Sequence, residues 1–219
     1  MKNIGILLSG GVGSRFGSNL PKQYTLLNNQ EVISYSINAF KKSKILDDFI
    51  VVAGESEIQS NVLQDKYHVQ TVLGGDTRNK SLMNGLEYIH EHIPDCEFVF
   101  VHEAARPFLS AEIVDSYIKY LHEGYDAVIT AQKITASLGS EETWVVDRSR
   151  YFLIEAPEAF NFKLLWENFD AESTITATVQ QLPESIRLMK YYDFPNNHKL
   201  TYPSDIEIME SLLQKKEMV

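Results

Sequence analysis

A glycine-dense run, Leu8-Ser9-Gly10-Gly11-Val12-Gly13-Ser14-Arg15-Phe16-Gly17, is followed within a few residues by Pro21-Lys22-Gln23-Tyr24. Glycines let backbone N–H groups approach an anion closely, so Ser9, Gly10, Gly11, Gly13 and Ser14 form a candidate phosphate cradle. The run lacks the Gly-Lys-Ser/Thr ending of a P-loop, and its G-x-G-x-x-x-G spacing differs from the G-x-G-x-x-G of a dinucleotide fold. Arg15 and Lys22 add two cations close to the cradle, a set that suits a triphosphate. Such cations can neutralise charge building on a pentavalent phosphorus and on departing pyrophosphate, with positioning and electrostatics as the main catalytic devices. Surface salt bridges are the alternative use of the same pair.

Two further constellations stand downstream. Val101-His102-Glu103-Ala104-Ala105-Arg106-Pro107 follows an apolar run with the pattern of a buried strand, and the C-terminal ends of strands are where open α/β sheets place ligands. The small Ala104 and Ala105 suit close approach of a ribose. Glu103 can hold either Mg²⁺ or the ribose hydroxyls, and Arg106 can hold an acceptor phosphate bidentately; a structural Glu103–Arg106 pair is the competing use. His102 reads as a hydrogen-bonded packing residue. In Gly74-Gly75-Asp76-Thr77-Arg78-Asn79-Lys80-Ser81, Arg78 precedes a helical pattern that Ser81 opens, so an anion or carbonyl can meet a helix N-terminus there. Ser81 serves equally well as a simple N-cap.

The elements that must hold these residues are legible as short apolar runs alternating with helical periodicity. Candidate strands are Ile4 to Leu8, Phe49 to Ala53, Val69 to Leu73, Phe98 to His102 and Ala127 to Thr130, each apolar enough to be covered on both faces. Candidate helices are Glu31 to Phe40, Ile58 to Lys66, Lys80 to His90 and Ala111 to Glu123. From Lys133 to Ile154 the pattern breaks into polar pieces with β-prone patches at Trp144-Val145-Val146 and Tyr151 to Ile154, expected as an inserted β arm. A helix at Lys163 to Phe169, a strand at Ile186 to Tyr191 and a last helix with Pro203 in its first turn complete the chain. The expected fold is α/β: one domain over residues 1–219, a mostly parallel sheet flanked by helices, with the arm inserted.

Bulk properties narrow the function. The 219 residues are 44% hydrophobic, enough for one large core, and carry a formal net charge of −10. That balance argues against nucleic acid as a partner, since backbone recognition needs clustered positive charge. Cys96 stands alone in an apolar stretch, so an intrachain disulfide is impossible and a buried thiol is expected. No uninterrupted apolar window reaches membrane-spanning length, and the N-terminal apolar segment is too short for a signal peptide, which gives a cytoplasmic expectation without a membrane partner.

The glycine loop, Pro-Lys-Gln, Gly74 to Ser81, and Val101 to Pro107 occur in the order found in one family. With Asp147-Arg148, Ala156-Pro157-Glu158-Ala159-Phe160 and Lys199-Leu200-Thr201-Tyr202-Pro203-Ser204-Asp205, the similarity covers essentially the whole chain. It resembles the methylerythritol-phosphate and ribitol-5-phosphate cytidylyltransferases, which share a Rossmann-like nucleotidyltransferase fold. The resemblance implies CTP and a phosphorylated polyol as substrates, Mg²⁺ as cofactor, and pyrophosphate as a product. It implies catalytic roles for Arg15, Lys22 and Lys199, and a cytosine and phosphate pocket shaped by Gly75, Arg78 and Ser81. It also implies an acceptor role for Thr176 and for Arg148, with Arg150 a rival, and a homodimer in which the arm embraces a second subunit; Trp144, Tyr151 and Phe152 are aromatics that such a partner would cover.

Several positions depart from the methylerythritol pattern. Glu103 stands for the usual Asp, Thr135-Ala136 for an Asp-Thr, Ala156 for a Thr, and Thr176-Ala177 for a Thr-Asp. A site built to hydrogen-bond hydroxyls loses affinity when those groups go. Gly5-Ile6-Leu7, Arg106-Pro107-Phe108-Leu109, Phe160-Asn161-Phe162 and Ile186-Arg187-Leu188-Met189-Lys190 resemble the ribitol-phosphate branch, so D-ribitol 5-phosphate is the expected acceptor. Methylerythritol phosphate is the alternative, as is a nucleotide-binding relative without catalysis.

Overall fold

The computed structural model describes residues 1–11, 16 and 21–217, the last three as backbone only. Arg15, Gly13 and Ser14 lie outside the described residues. Along the chain, β1 (Lys2–Leu8) leads to a short hairpin of β2 (Leu26–Leu27) and β3 (Gln30–Glu31), then α1 (Val32–Lys42) and β4 (Asp48–Ala53). Next come α2 (Glu55–Ser60), α3 (Val62–Tyr67), β5 (Gln70–Leu73), α4 (Arg78–His92), β6 (Cys96–Glu103) and α5 (Ala111–His122). β7 (Ala127–Lys133), β8 (Phe152–Asn161), α6 (Phe162–Asn168), β9 (Leu188–Tyr191) and α7 (Asp205–Glu217) follow.

The main sheet has the order β5-β4-β1-β6-β8-β7-β9. β8 runs antiparallel to both neighbours, while the other pairings are parallel. Strand residues alternate between two cores, as the two-residue period of a pleated strand requires. Ile4 and Ile6 of β1, with Val99 and Val101 of β6, pack against Leu82, Leu86 and Ile89 of α4 and Leu165 of α6. Leu7, Phe98 and Phe100 face the opposite way, onto Ile37 and Phe40 of α1 and Val114, Tyr117 and Ile118 of α5. Gly5 belongs to this close packing, because a Cβ there would lie 2.8 Å from both Phe40 and Phe49 side chains.

The α/β class and the mostly parallel sheet are as expected, with differences that have local causes. The helix expected from Ile58 to Lys66 is two short helices, broken at Asn61, whose φ of 53° is left-handed. Asparagine tolerates that conformation better than most residues, and apolar periodicity does not register the break. The arm is strand only at its base, where Lys133 pairs with Phe152. Residues 134–147 contain neither helix nor strand, and Trp144 and Val145 are exposed, so their β-prone composition finds no face to pack on. Pro203 lies ahead of α7, which starts at Asp205. Cys96 is partly buried at the start of β6, and burial pushes its thiol up to about 12.

The β7–β8 register shifts between Ile129 and Thr130: Ile129 pairs with Glu158 and Thr130 with Glu155. The extra residues are Ala156 and Pro157, and proline cannot donate to the ladder. The Pro157 carbonyl instead accepts from Thr130 Oγ1 at 2.8 Å. Glu158 pairs with Ile129 and Glu155 with the next residue, Thr130, so the two carboxylates lie on opposite faces of the sheet.

Candidate active site

A cleft of about 370 Å³ opens at the C-terminal ends of β1 and β6. Leu8, Ser9, Gly10, Gly11, Lys22 and Gln23 line one side, Gly75 to Arg78 and Ser81 another, and Glu103, Ala104, Ala105, Lys199 and Thr201 the rest. The walls are fixed by main-chain bonds that leave the sheet: Ser9 N to Val52 O, Gly74 N to Ala53 O and Ala104 N to Leu8 O, at 2.7, 2.8 and 2.9 Å. Side chains then pin the loops. Gln23 Nε2 donates to the carbonyls of Ser9 at 2.6 Å and Gly11 at 3.1 Å, and the Tyr24 hydroxyl lies 3.1 Å from Ser9 Oγ. Burial pushes the Tyr24 phenol up to about 12, so this contact involves the neutral hydroxyl.

Helix α4 begins on this cleft. Thr77, rather than Ser81, is its N-cap, accepting from Lys80 N at 3.1 Å. Ser81 lies in the first turn and its hydroxyl closes a ring with Gly75, accepting from the amide at 3.1 Å and donating to the carbonyl at 3.2 Å. Gly75 has to be glycine for this approach, since a Cβ would come within 2.5 Å of Lys80 Cβ.

At the centre stands Glu103, whose carboxylate meets Lys199 Nζ at 2.6 Å, Arg78 Nε at 3.2 Å and Arg106 Nε at 3.5 Å. Burial alone would raise its pKa, but Lys199, Arg78 and Arg106 together hold the carboxyl well below the usual range. Lys199 is carried by the segment between β9 and α7. That segment is bolted down by Leu200 N to Ala105 O at 2.8 Å and by Asn197, whose side chain donates to Ala156 O and Glu155 at 2.7 and 2.8 Å. His102 is fully buried, its Nε2 3.0 Å from the Arg106 carbonyl, and burial pushes its pKa down to about 4. It packs and braces the turn.

The structure thus brings together Ser9, Gly10, Gly11, Lys22, Gly75, Arg78, Ser81, Glu103, Ala104, Ala105 and Lys199. Among the described residues, the candidates Arg106, Thr176 and Arg148 are not on the cleft wall. Arg106, assigned to the acceptor, points behind Glu103, donating to Asn197 O at 2.7 Å and to Glu155 at 3.2 Å. Thr176 is exposed on the loop after α6, whereas Thr178 two residues on reaches Arg78 at 3.1 Å. Arg148 lies in the arm, donating to the carbonyls of Thr135 and Ala136. With Lys133, Arg150 and Lys190 it lines a separate cavity of about 420 Å³. Sequence reasoning missed Gln23, Tyr24, Thr178 and Glu158. Glu158 had a signal: a carboxylate inside the apolar run Ala156 to Phe160 must find a partner once the strand is buried.

The family model for IspD, 2-C-methyl-D-erythritol 4-phosphate cytidylyltransferase, matches residues 4–215. The chain belongs to that family. It is accordingly a nucleotidyltransferase of the cytidylyltransferase class. A 2-C-methyl-D-erythritol 4-phosphate cytidylyltransferase of Clostridium acetobutylicum is 31% identical, with 99% of each chain covered. One of Clostridium botulinum strain 657 is 29% identical, covering 98% of each. The crystal structure of 4-diphosphocytidyl-2C-methyl-D-erythritol synthase from Anaerococcus prevotii superposes with a TM-score of 0.81 over 97% of this chain and 98% of that one, at 24% identity, and supports the fold. These relatives correct the expectation of a ribitol-phosphate branch: the family model and the curated relatives carry the methylerythritol name. Among the described residues no helix is long and apolar enough to cross a membrane.

Proposed function

We propose that this IspD-family chain transfers CMP from CTP to 2-C-methyl-D-erythritol 4-phosphate and releases pyrophosphate. The observation that carries the proposal is a cleft at the strand ends, lined by Lys22, in which Arg78 and Lys199 meet Glu103, in a chain of this family.

The sequence assigns the triphosphate to the Ser9 to Ser14 run, whose glycines and neighbouring cations suit its charge. The acceptor phosphate is already an anion at neutral pH, so an oxygen of it attacks the α-phosphorus in line without a general base. The bond from the α-phosphorus to the bridging oxygen breaks, and its electron pair leaves on pyrophosphate. Lys22 and Lys199 stabilise the charge of the pentavalent phosphorus and the leaving group; Arg15 is given the same task from the sequence. Ala104 and Ala105 make room for the ribose.

Glu103 is a carboxylate on the cleft wall, but its Oε2 is already held by Lys199 at 2.6 Å with Arg106 Nε at 3.5 Å, so a divalent cation there would have to displace Lys199. Among the described residues no three His, Cys, Asp or Glu cluster, so Mg²⁺ here would draw most ligands from the phosphates, its usual mode with nucleotides. Bound so, it would neutralise phosphate charge. Lys199 must then turn from Glu103 toward the triphosphate.

We assign a homodimer and a cytoplasmic setting to the same reading. The fully exposed Trp144 and the exposed Val145 support a partner for the arm, with Arg148 reaching the acceptor of the other subunit. A monomer by light scattering at micromolar concentration would contradict the dimer.

The test is kcat/KM for pyrophosphate release with CTP against methylerythritol, ribitol, erythritol, xylitol and glycerol phosphates, with UTP as control. Preference for methylerythritol 4-phosphate is expected. Preference for ribitol 5-phosphate would show that Thr135-Ala136, Ala156 and Thr176-Ala177 decide the acceptor. CTP binding without turnover on any acceptor would favour a non-catalytic relative.

A further inference from the structure

The antiparallel strand β8 supplies two carboxylates, the partly buried Glu155 and the buried Glu158, to opposite faces of the sheet, and each holds one of the arginines that flank Glu103. Glu155 meets Arg106 on one face at 3.2 Å. On the other, Arg78 is spread across three protein partners: Nε to Glu103 at 3.2 Å, Nη1 to Thr178 Oγ1 at 3.1 Å and Nη2 to Glu158 Oε1 at 3.3 Å. A guanidinium carries five N–H donors, so this arrangement leaves one on each terminal nitrogen for the cleft that Arg78 lines.

Glu158 is 2% exposed, and it also accepts from the backbone of Thr178 at 3.3 Å and Val179 at 3.0 Å. Burial pushes its carboxyl up, against Arg78 and these amides, yet all three hydrogen-bond partners are donors, which suits an acceptor-only carboxylate. The neighbouring Asn79 donates to the carbonyls of Ser173 and Ile175 at 2.9 and 2.8 Å. The start of α4 is therefore tied to the 173–179 segment by two consecutive side chains, with Glu158 at the junction.

We infer that Glu158 is a positioning residue for nucleotide binding: it fixes the Arg78 guanidinium so that its remaining N–H donors face CTP. Without that anchor Arg78 has only Glu103 as a carboxylate partner and folds onto it, withdrawing those donors from the cleft. The inference rests on the proposed use of CTP.

The experiment measures CTP affinity by calorimetry without acceptor, together with KM for CTP, kcat and melting temperature, for wild type, Glu158→Gln, Arg78→Lys and the double variant. Glu158→Gln is expected to weaken CTP binding about tenfold, the scale of one charged hydrogen bond, with kcat within about threefold of wild type. The double variant should be no weaker than Arg78→Lys, because both changes act through one guanidinium. Wild-type CTP affinity in Glu158→Gln, or effects that multiply in the double variant, would overturn the inference. If Glu158→Gln does not fold, Thr178→Val makes the same comparison, and a CTP effect that multiplies with that of Arg78→Lys overturns it. Wild-type CTP binding without turnover would sink the proposed reaction while leaving this test intact; absence of CTP binding would sink both.

Discussion

The cleft and the arm both gather cations beside a cavity, and they are held in opposite ways. In the cleft, Arg78 and Lys199 converge on Glu103, and Glu158 and Glu155 fix the two arginines from behind. In the arm, Arg148 donates to backbone carbonyls and Lys190 lies over the Phe152 ring at 4.6 Å. Among the described residues no ion pair joins Lys133, Arg148, Arg150 or Lys190 to a carboxylate. Carboxylates behind the cleft hold its arginines in place before any ligand binds, whereas cations lacking counter-charges suit an anion or partner that arrives later. The lesson is that the cations of one region are held by carboxylates of the same chain, while those of the other are not.

Stability should divide along the same line. Phe100→Ala, in the core beneath the cleft, is expected to cost about 3–5 kcal/mol, while Trp144→Ala stays within about 0.5 kcal/mol for the monomer, by chemical denaturation. Comparable costs would mean that the arm packs on its own domain. Next in size, Arg148→Ala should raise KM for the acceptor about tenfold and leave CTP affinity within about twofold, read from steady-state kinetics and calorimetry. An equal effect on both ligands would merge the two regions into one site.

The smallest effect concerns Tyr24, buried against the cleft residue Ser9. Its folded pKa is raised, chiefly by burial, from 10.0 to about 12. The folded state therefore keeps a proton that the unfolded state loses, so this contribution is intact below pH 10 and is lost as pH rises toward 12. Tyr24→Phe should show an alkaline loss of stability shallower by roughly 2 kcal/mol at most over that window, by denaturant titration. Identical slopes would mean that the phenol is not sealed beneath the loop.

The same contrast explains what the sequence made legible. Runs such as Ile4 to Leu8 and Phe98 to His102 are apolar on both faces because helices cover both sides, so their strands could be read directly. Glu103 was legible because it ends an apolar run, Lys22 because it follows the glycine run closely, and Lys199 only through the family resemblance. The reversed direction of β8 was not, since a strand's composition does not encode its pairing partner. Thr178 escaped notice in favour of Thr176 because the turn that aims a loop residue is set by contacts from elsewhere, here Glu158 and Asn79. The arm misled because β-prone residues become strand only when a second surface covers them.

The central claim, that the cations of the cleft drive transfer, is tested most directly by turnover of Lys22→Ala and Lys199→Ala with CTP and methylerythritol 4-phosphate at saturating concentrations. A loss of at least about a hundredfold in kcat, with melting temperatures close to wild type, is predicted from the scale of one lost transition-state contact. Near-normal turnover of both variants would contradict the account.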